Sequence, residues 1–175
     1  LGNLYYRVRF GIGFNKSPAD YGAFPTDPYS HTPKHAGAQQ PGMTGQVKEQ
    51  VLTRFGELGL EVRDGCLHLD PRLLPASELL ASPARSMPPG PVNGETGLEV
   101  APGSVAFTFC HVPFLIREGD AHRVELVGED GRRTLVEGSR LDRSTSAAIF
   151  TRRSRYQRVE VTVPSGALYG SHGRV

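Results

Sequence analysis

The hydrophobic period of the chain switches at Gly59, and the switch limits what the chain can fold into. Before it, Val47, Val51, Leu52 and Phe55 recur at the spacing of one helical stripe. Gly56 and Gly59 stop that stripe. After it, Leu60 and Val62, a turn at Asp64-Gly65, then Leu67 and Leu69 alternate as a hairpin does. Asp70-Pro71 ends the hairpin. The expectation is a mainly β chain with a helical N-terminal part.

Upstream of the switch, residues 1 to 10 carry Leu4, Tyr5 and Val8 at helical spacing and read as the last turns of an amphipathic helix. Gly11-Ile12-Gly13 stops it. The chain opens without Met and already in mid-pattern, so it is expected to be a fragment. A long non-repetitive loop from Gly22 then delivers Thr44, a candidate N-cap, to the next helix. Pro25, Pro28, Pro33 and Pro41 forbid a regular helix there and hold Asp27, Thr32 and Gln40 in extended geometry. Long loops in compact domains are functional or disordered. The mixture of aromatic, amide, imidazole and hydroxyl groups in this one favours a recognition surface. It ends on Gly42 to Gly45 at a helix N-terminus, where free N–H groups favour an anion.

Downstream, Arg72 to Leu80 is a mixed segment with a short helix from Ala76, and 82–103 is a Pro/Gly-rich surface loop. The remainder alternates: 105–110, 112–116, 122–127, 133–137, 147–152 and 158–163, with Val159, Val161 and Val163 inward. With the first hairpin this makes roughly eight short strands, the pattern of a sandwich or jelly roll. The 21 Gly and 14 Pro among 175 residues suit such a loop-rich fold. A net charge of +2, with the arginines from Arg117 to Arg158 interleaved with acids, reads as solvated strand faces rather than a phosphate track. No nucleic acid is expected. Cys66 and Cys110 have no metal-ligand spacing and read as buried thiols. No run has the length of a membrane span and no signal peptide is visible, which points to the cytoplasm.

The stretch Met43-Thr44-Gly45 opening a helix, followed by Gly59-Leu60-Glu61-Val62-Arg63-Asp64-Gly65-Cys66-Leu67-His68-Leu69-Asp70-Pro71-Arg72-Leu73-Leu74-Pro75, resembles the C-terminal end of (α/α)6-barrel carbohydrate enzymes. The likeness is to the cellobiose and chitobiose phosphorylase group and its glycosidase relatives. It covers residues 1 to 75 in motif and the rest only as a sandwich type. The resemblance implies that 1–59 holds the final helices and active-site loop of a barrel, followed by a C-terminal β-sandwich at 60–175. It also implies a sugar or phosphate site lined by Thr44 and Gly45, with Asp27, Tyr29, His31, Gln39 and Gln40 nearby. The chain departs from the group in carrying Gln39-Gln40-Pro41-Gly42-Met43 before the turn and Gln46-Val47-Lys48-Glu49 after it. The group's general acid comes from an earlier barrel helix that this chain does not contain.

Each of these residues has a plain reading beside the functional one. Asp27 binds sugar hydroxyls or acts as base to a water, or else accepts turn N–H bonds ahead of Pro28. Glu49 is a second catalytic carboxylate or a surface charge. Gln39 and Gln40 offer donor and acceptor together for hydroxyls, or brace the loop. Tyr29 stacks on a sugar face or fills the loop; His31 donates to sugar or phosphate. His31 and His35 lack the further ligands a metal needs, and no cofactor is implied. The expectation is thus the C-terminal portion of a glycoside hydrolase or glycoside phosphorylase acting on oligosaccharides, with or without phosphate as partner, and inert without the missing N-terminal barrel portion or another chain. The competing expectation is a free-standing β-sandwich that binds carbohydrate or protein.

Overall fold

The structure, a computed structural model, describes residues 2–11, 44–86, 97–153 and 156–171. The chain divides into two compact units, 1–54 and 55–175. In the first, α1 (Gly2–Gly11) takes the helix that its apolar spacing predicts, with Tyr5 and Tyr6 in edge contact at 4.9 Å and Tyr6 buried. Helix α2 (Thr44–Glu57) begins at Thr44 and runs across the division. Val51 and Leu52 on it are exposed.

The second unit opens at the end of α2. Gly59 adopts φ +68°, and its carbonyl accepts the Asp70 N–H at 2.9 Å. A Cβ at Gly59 would fall 2.1 Å from the Asp70 carbonyl carbon, so both the backbone angle and the close approach demand glycine. The chain then forms the hairpin β1 (Leu60–Arg63) and β2 (Cys66–Leu69), in the register Leu60 to Leu69 and Arg63 to Cys66. Asp64 and Gly65 both have positive φ, as the tight two-residue turn of a twisted hairpin requires.

Strand β2 is the buried half of the hairpin. Leu67 and Leu69 are inaccessible, and each backbone group not used by β1 finds another partner. The Leu67 N–H donates to the buried Ser146 hydroxyl at 2.9 Å, the Leu69 N–H to the Ser139 carbonyl, and the Leu67 carbonyl accepts from Leu141. A 3-10 turn (Ala76–Glu78) follows. Its first residue and Leu74 are pinned to the C-terminal segment by the pairs Ala76 N–H to Tyr169 O and Tyr169 N–H to Leu74 O.

The main sheet has five strands: β5 (Ser104–Phe109), β6 (Val112–Gly119), β7 (Arg123–Gly128), β8 (Arg133–Glu137) and β9 (Tyr156–Pro164). Their spatial order is β5-β6-β9-β7-β8, with β6 and β9 parallel and the other pairs antiparallel. Phe114, Ile116, Val124, Leu126, Val159, Val161 and Val163 turn one face into the core. That face packs with Leu58, Leu67, Leu69, Leu74, Leu141, Ile149 and Leu168. The unit is therefore mainly β, and its sheets do not close.

Two segments depart from the sequence reading. Residues 147–152, expected as a strand, are instead the last turn of a helix, α3 (Arg143–Phe150), and the turn that follows it. The short alternation was outweighed by the cap at Asp142, which accepts from the Thr145 N–H at 2.8 Å, the Thr145 hydroxyl at 2.9 Å and the Ser144 hydroxyl at 2.5 Å. Ser146 and Ile149, three apart, form the buried face of α3. The Pro/Gly-rich stretch 82–103 is also not all loop. Within it β3 (Ala84–Ser86) pairs antiparallel with β4 (Leu98–Val100), whose Leu98 and Val100 are buried. Residues 87–96 of that stretch lie outside the described residues. Cys110, expected to be buried, is only half-buried and takes a positive φ in the tight turn to β6, whereas Cys66 is buried as expected.

Two stability experiments test this account. Gly59→Ala should lower unfolding free energy by at least about 2 kcal/mol in a denaturant titration, because strain and backbone overlap act together. A loss within a few tenths would mean that the helix-to-hairpin junction is not built this way. The three hydrogen bonds to Asp142 hold its carboxyl down to about 2, the Ser144 hydroxyl contributing most. A depressed folded pKa means that the cap stabilises above the ordinary carboxylate value and fades as pH falls through about 2. Asp142→Ala should therefore cost roughly 0.5–2 kcal/mol at neutral pH and flatten the stability profile between about pH 4 and 2. A variant that keeps the wild-type acid profile would refute the cap.

Candidate ligand-binding cleft

The residues expected to form a sugar site fall mostly beyond what the structure describes. Asp27, Tyr29, His31, Gln39 and Gln40 lie outside the described residues. Thr44 and Gly45 open α2 and Glu49 follows within it, so their backbone is helical; their side chains are likewise outside the description. The three histidines of the strand region are described. His122 Nε2 is 2.8 Å from the Leu69 carbonyl, a contact that braces β2, while His68 lies in β2 and His111 sits exposed in a turn rather than in a strand.

A different cluster emerges on the outer face of the main sheet. Strand alternation places Glu160, Thr162 and Leu115, Arg117 opposite to the valines and phenylalanine that fill the core. Register then sets Leu115 beside Glu160, Glu160 beside Glu125, and Glu125 beside Leu135 on adjacent strands. The next row carries Ser104, Arg117, Thr162 and Arg123.

Two carboxylates directly opposite one another repel. The repulsion between Glu125 and Glu160 is offset by three guanidinium groups. Arg158 Nε donates to Glu160 Oε1 at 2.6 Å and its Nη1 to Gln157 Oε1 at 3.1 Å. Arg133 Nη1 donates to Glu125 Oε2 at 2.7 Å, and its Nη2 stands 3.9 Å from Glu160 Oε1. Arg117 Nη2 lies 3.7 Å from Glu160, while its Nε reaches the Thr162 hydroxyl at 3.4 Å. Glu160 is the centre of this network, its side chain only 13% exposed.

Beside the network lies a cleft of about 380 Å³, a size within the usual range for small-molecule sites. Its walls are the β4 segment around Gly97 to Ala101, with Ser104 and Leu115; Arg117, Gln157, Arg158 and Glu160 supply its polar groups. Glu99 on the rim pairs loosely with Arg85 at 3.8 Å. Among the described residues no group of three or more His, Cys, Asp or Glu is placed to hold a metal ion, and no helix is long and apolar enough to cross a membrane.

Sequence reasoning passed over these residues because each is an ordinary charge on an alternating strand. The available signal was the alternation itself, which assigns Arg117 and Glu160 to the polar face. The parallel pairing of β6 with β9, which brings them together from 43 positions apart in the chain, has no local signature. No family model matches the chain, and no curated protein matches it.

The network makes a measurable distinction between ion pairs. A double-mutant cycle on Arg158 and Glu160, half-buried and hydrogen-bonded, should give a coupling of roughly 1–2 kcal/mol that survives high salt. The same cycle on Arg72 and Asp70, whose side chains are 78% and 38% exposed, should give no more than about 0.5 kcal/mol. Equal couplings would mean that the Glu160 cluster is not held as described.

Proposed function

We propose that the chain is the C-terminal portion of a glycoside hydrolase or glycoside phosphorylase acting on oligosaccharides, and that it is inert alone. The observation that supports this reading is the junction at Gly59. The residues that carry the resemblance to (α/α)6-barrel carbohydrate enzymes take the local structure that the motif calls for: a helix that begins at Thr44, a glycine at 59 that fits only without a side chain, and a tight hairpin followed by Asp70-Pro71. In this reading 1–59 contributes final barrel helices and the loop that carries Asp27, Tyr29, His31, Gln39 and Gln40. Thr44 and Gly45 then line the sugar or phosphate end of the site, and the general acid comes from the barrel portion. Residues 60–175 form the C-terminal β-sandwich scaffold of that architecture. The reaction would be glycosidic cleavage by water or by phosphate, with Asp27 and Glu49 as the carboxylates offered from this chain.

A second reading, a free-standing module that binds carbohydrate or protein, is favoured by the outer-face cleft. Its lining is made for recognition rather than covalent chemistry. Both readings make this chain non-catalytic by itself, and they differ in what it belongs to.

The native polypeptide decides between them. An antibody to this chain should detect, in denatured lysate of the source cells, a band several times larger than 19.0 kDa. The immunopurified polypeptide should cleave oligosaccharides, with or without phosphate, while the 175-residue chain should show no turnover. Asp27→Asn in the longer polypeptide should then lower kcat/KM by at least about tenfold, the least expected of a group acting on the reacting centre. A single band at 19.0 kDa would defeat the enzyme reading and leave the binding module.

A further inference from the structure

From the charge balance and the geometry of the outer-face cleft, we infer that it is a binding site for a small hydroxylated carboxylate of the uronic acid kind. Three observations carry it. First, among the described residues Arg117, Arg133 and Arg158 face two carboxylates, Glu125 and Glu160, so the guanidinium groups outnumber the carboxylates by one. Nearby Arg123 does not change this, because Asp120 balances it at 2.9 Å. The unbalanced group is Arg117. Arg158 and Arg133 each hydrogen-bond a carboxylate, whereas Arg117 stands 3.7 Å from Glu160, too far for a hydrogen bond. Among the described residues only its Nε has an acceptor, so both terminal nitrogens keep their planar fork of donors for a carboxylate in the cleft.

Second, Ser104 is cross-strand neighbour to Arg117 and lines the same cleft, yet is only 6% exposed. Among the described residues its hydroxyl has no hydrogen-bond partner. A buried hydroxyl left unpaired costs about 1–3 kcal/mol, and a ligand oxygen placed between Ser104 and Arg117 removes that cost. Third, the lining also presents Leu98, Ala101 and Leu115 as apolar groups and the Gln157 amide as a polar one, with Gly97 and the Arg85-paired Glu99 at the β4 wall. These suit a compact ligand with C–H faces and hydroxyl groups. Among the described residues no aromatic side chain lines the cleft, so none of them offers a face for stacking on a neutral sugar.

One surplus positive charge matches a single carboxylate better than a phosphate ester, which brings nearly two negative charges and would stand beside Glu160. Because the groups are presented on β5, β6 and β9, they are held by the sheet and need no rearrangement to engage a ligand. The hydroxylated part of the ligand rests on the carbohydrate reading above; the carboxylate part rests on the cleft alone.

Titration calorimetry of the 175-residue chain with glucuronate, glucose and inorganic phosphate tests the assignment. Glucuronate should bind with an affinity that falls as salt rises, and glucose at least about tenfold more weakly. Arg117→Gln should weaken glucuronate binding about 10- to 100-fold, the cost of a charged hydrogen-bonded pair, while keeping the cooperative denaturant transition of a folded protein. Ser104→Ala should weaken it by a smaller factor and not reduce stability. Equal binding of glucose, tighter binding of phosphate, no glucuronate binding, or an unaffected Arg117→Gln would each overturn the inference. None of these results bears on the size or activity of the native polypeptide, so the two proposals fail separately.

Discussion

Strand β9 is the element on which the second unit depends, because it is hydrogen-bonded on both sides and works on both faces. Its pairing with β6 and β7 joins two hairpins, β5-β6 and β7-β8, into one sheet. Its inward residues Val159, Val161 and Val163 are essentially inaccessible, and burying three β-branched side chains is worth roughly 5–8 kcal/mol before entropy is charged. Its outward residue Glu160 organises the arginines. Both pairings are long-range, so the sheet is assembled from segments far apart in the chain, which slows folding.

The outer face shows what a central strand costs when it is not covered by apolar residues. Glu160 and Glu125 meet across the β7–β9 ladder, an arrangement that is unfavourable in isolation. Arg158, Arg133 and Arg117 reverse the sign of the local field and leave it slightly positive. A surface designed only for solubility needs no carboxylate at the half-buried Glu160 position and no buried hydroxyl at Ser104. Both are polar groups withdrawn from water, and each is sensible only where a partner compensates for the loss of hydration.

The helical N-terminal part, the hairpin at 60–69, the turn at Asp64-Gly65, the 3-10 turn from Ala76 and five of the later strands were legible because each is written in local pattern. The inward assignment of Val159, Val161 and Val163 followed from alternation alone. The misreading at 147–152 has a specific cause: Ala147 to Arg152 is too short to show a helical stripe, and the cap that decides the matter sits upstream at Asp142. The ribbon of β3 with β4 was hidden for another reason. Each strand is three residues long, and the Pro/Gly composition between them dominates any window. The cleft was beyond local reading altogether. Ser104, Arg117 and Glu160 become neighbours through strand order, and strand order follows from how the whole sheet buries its apolar face.

Two kinds of side-chain cluster thus differ in how the chain assembles them. The stretch 24–49 carries amide, imidazole, phenol and hydroxyl groups along one continuous run of sequence, with prolines among them. The cleft gathers single residues from separate strands, and the sheet holds them in place. The first is readable as composition and says what chemistry is on offer without saying how it is arranged. The second is invisible as composition and becomes specific only through distances, such as the 2.6 Å from Arg158 to Glu160 against the 3.7 Å from Arg117. That difference of about one ångström separates a guanidinium hydrogen-bonded to the carboxylate from one that only neighbours it as a charge.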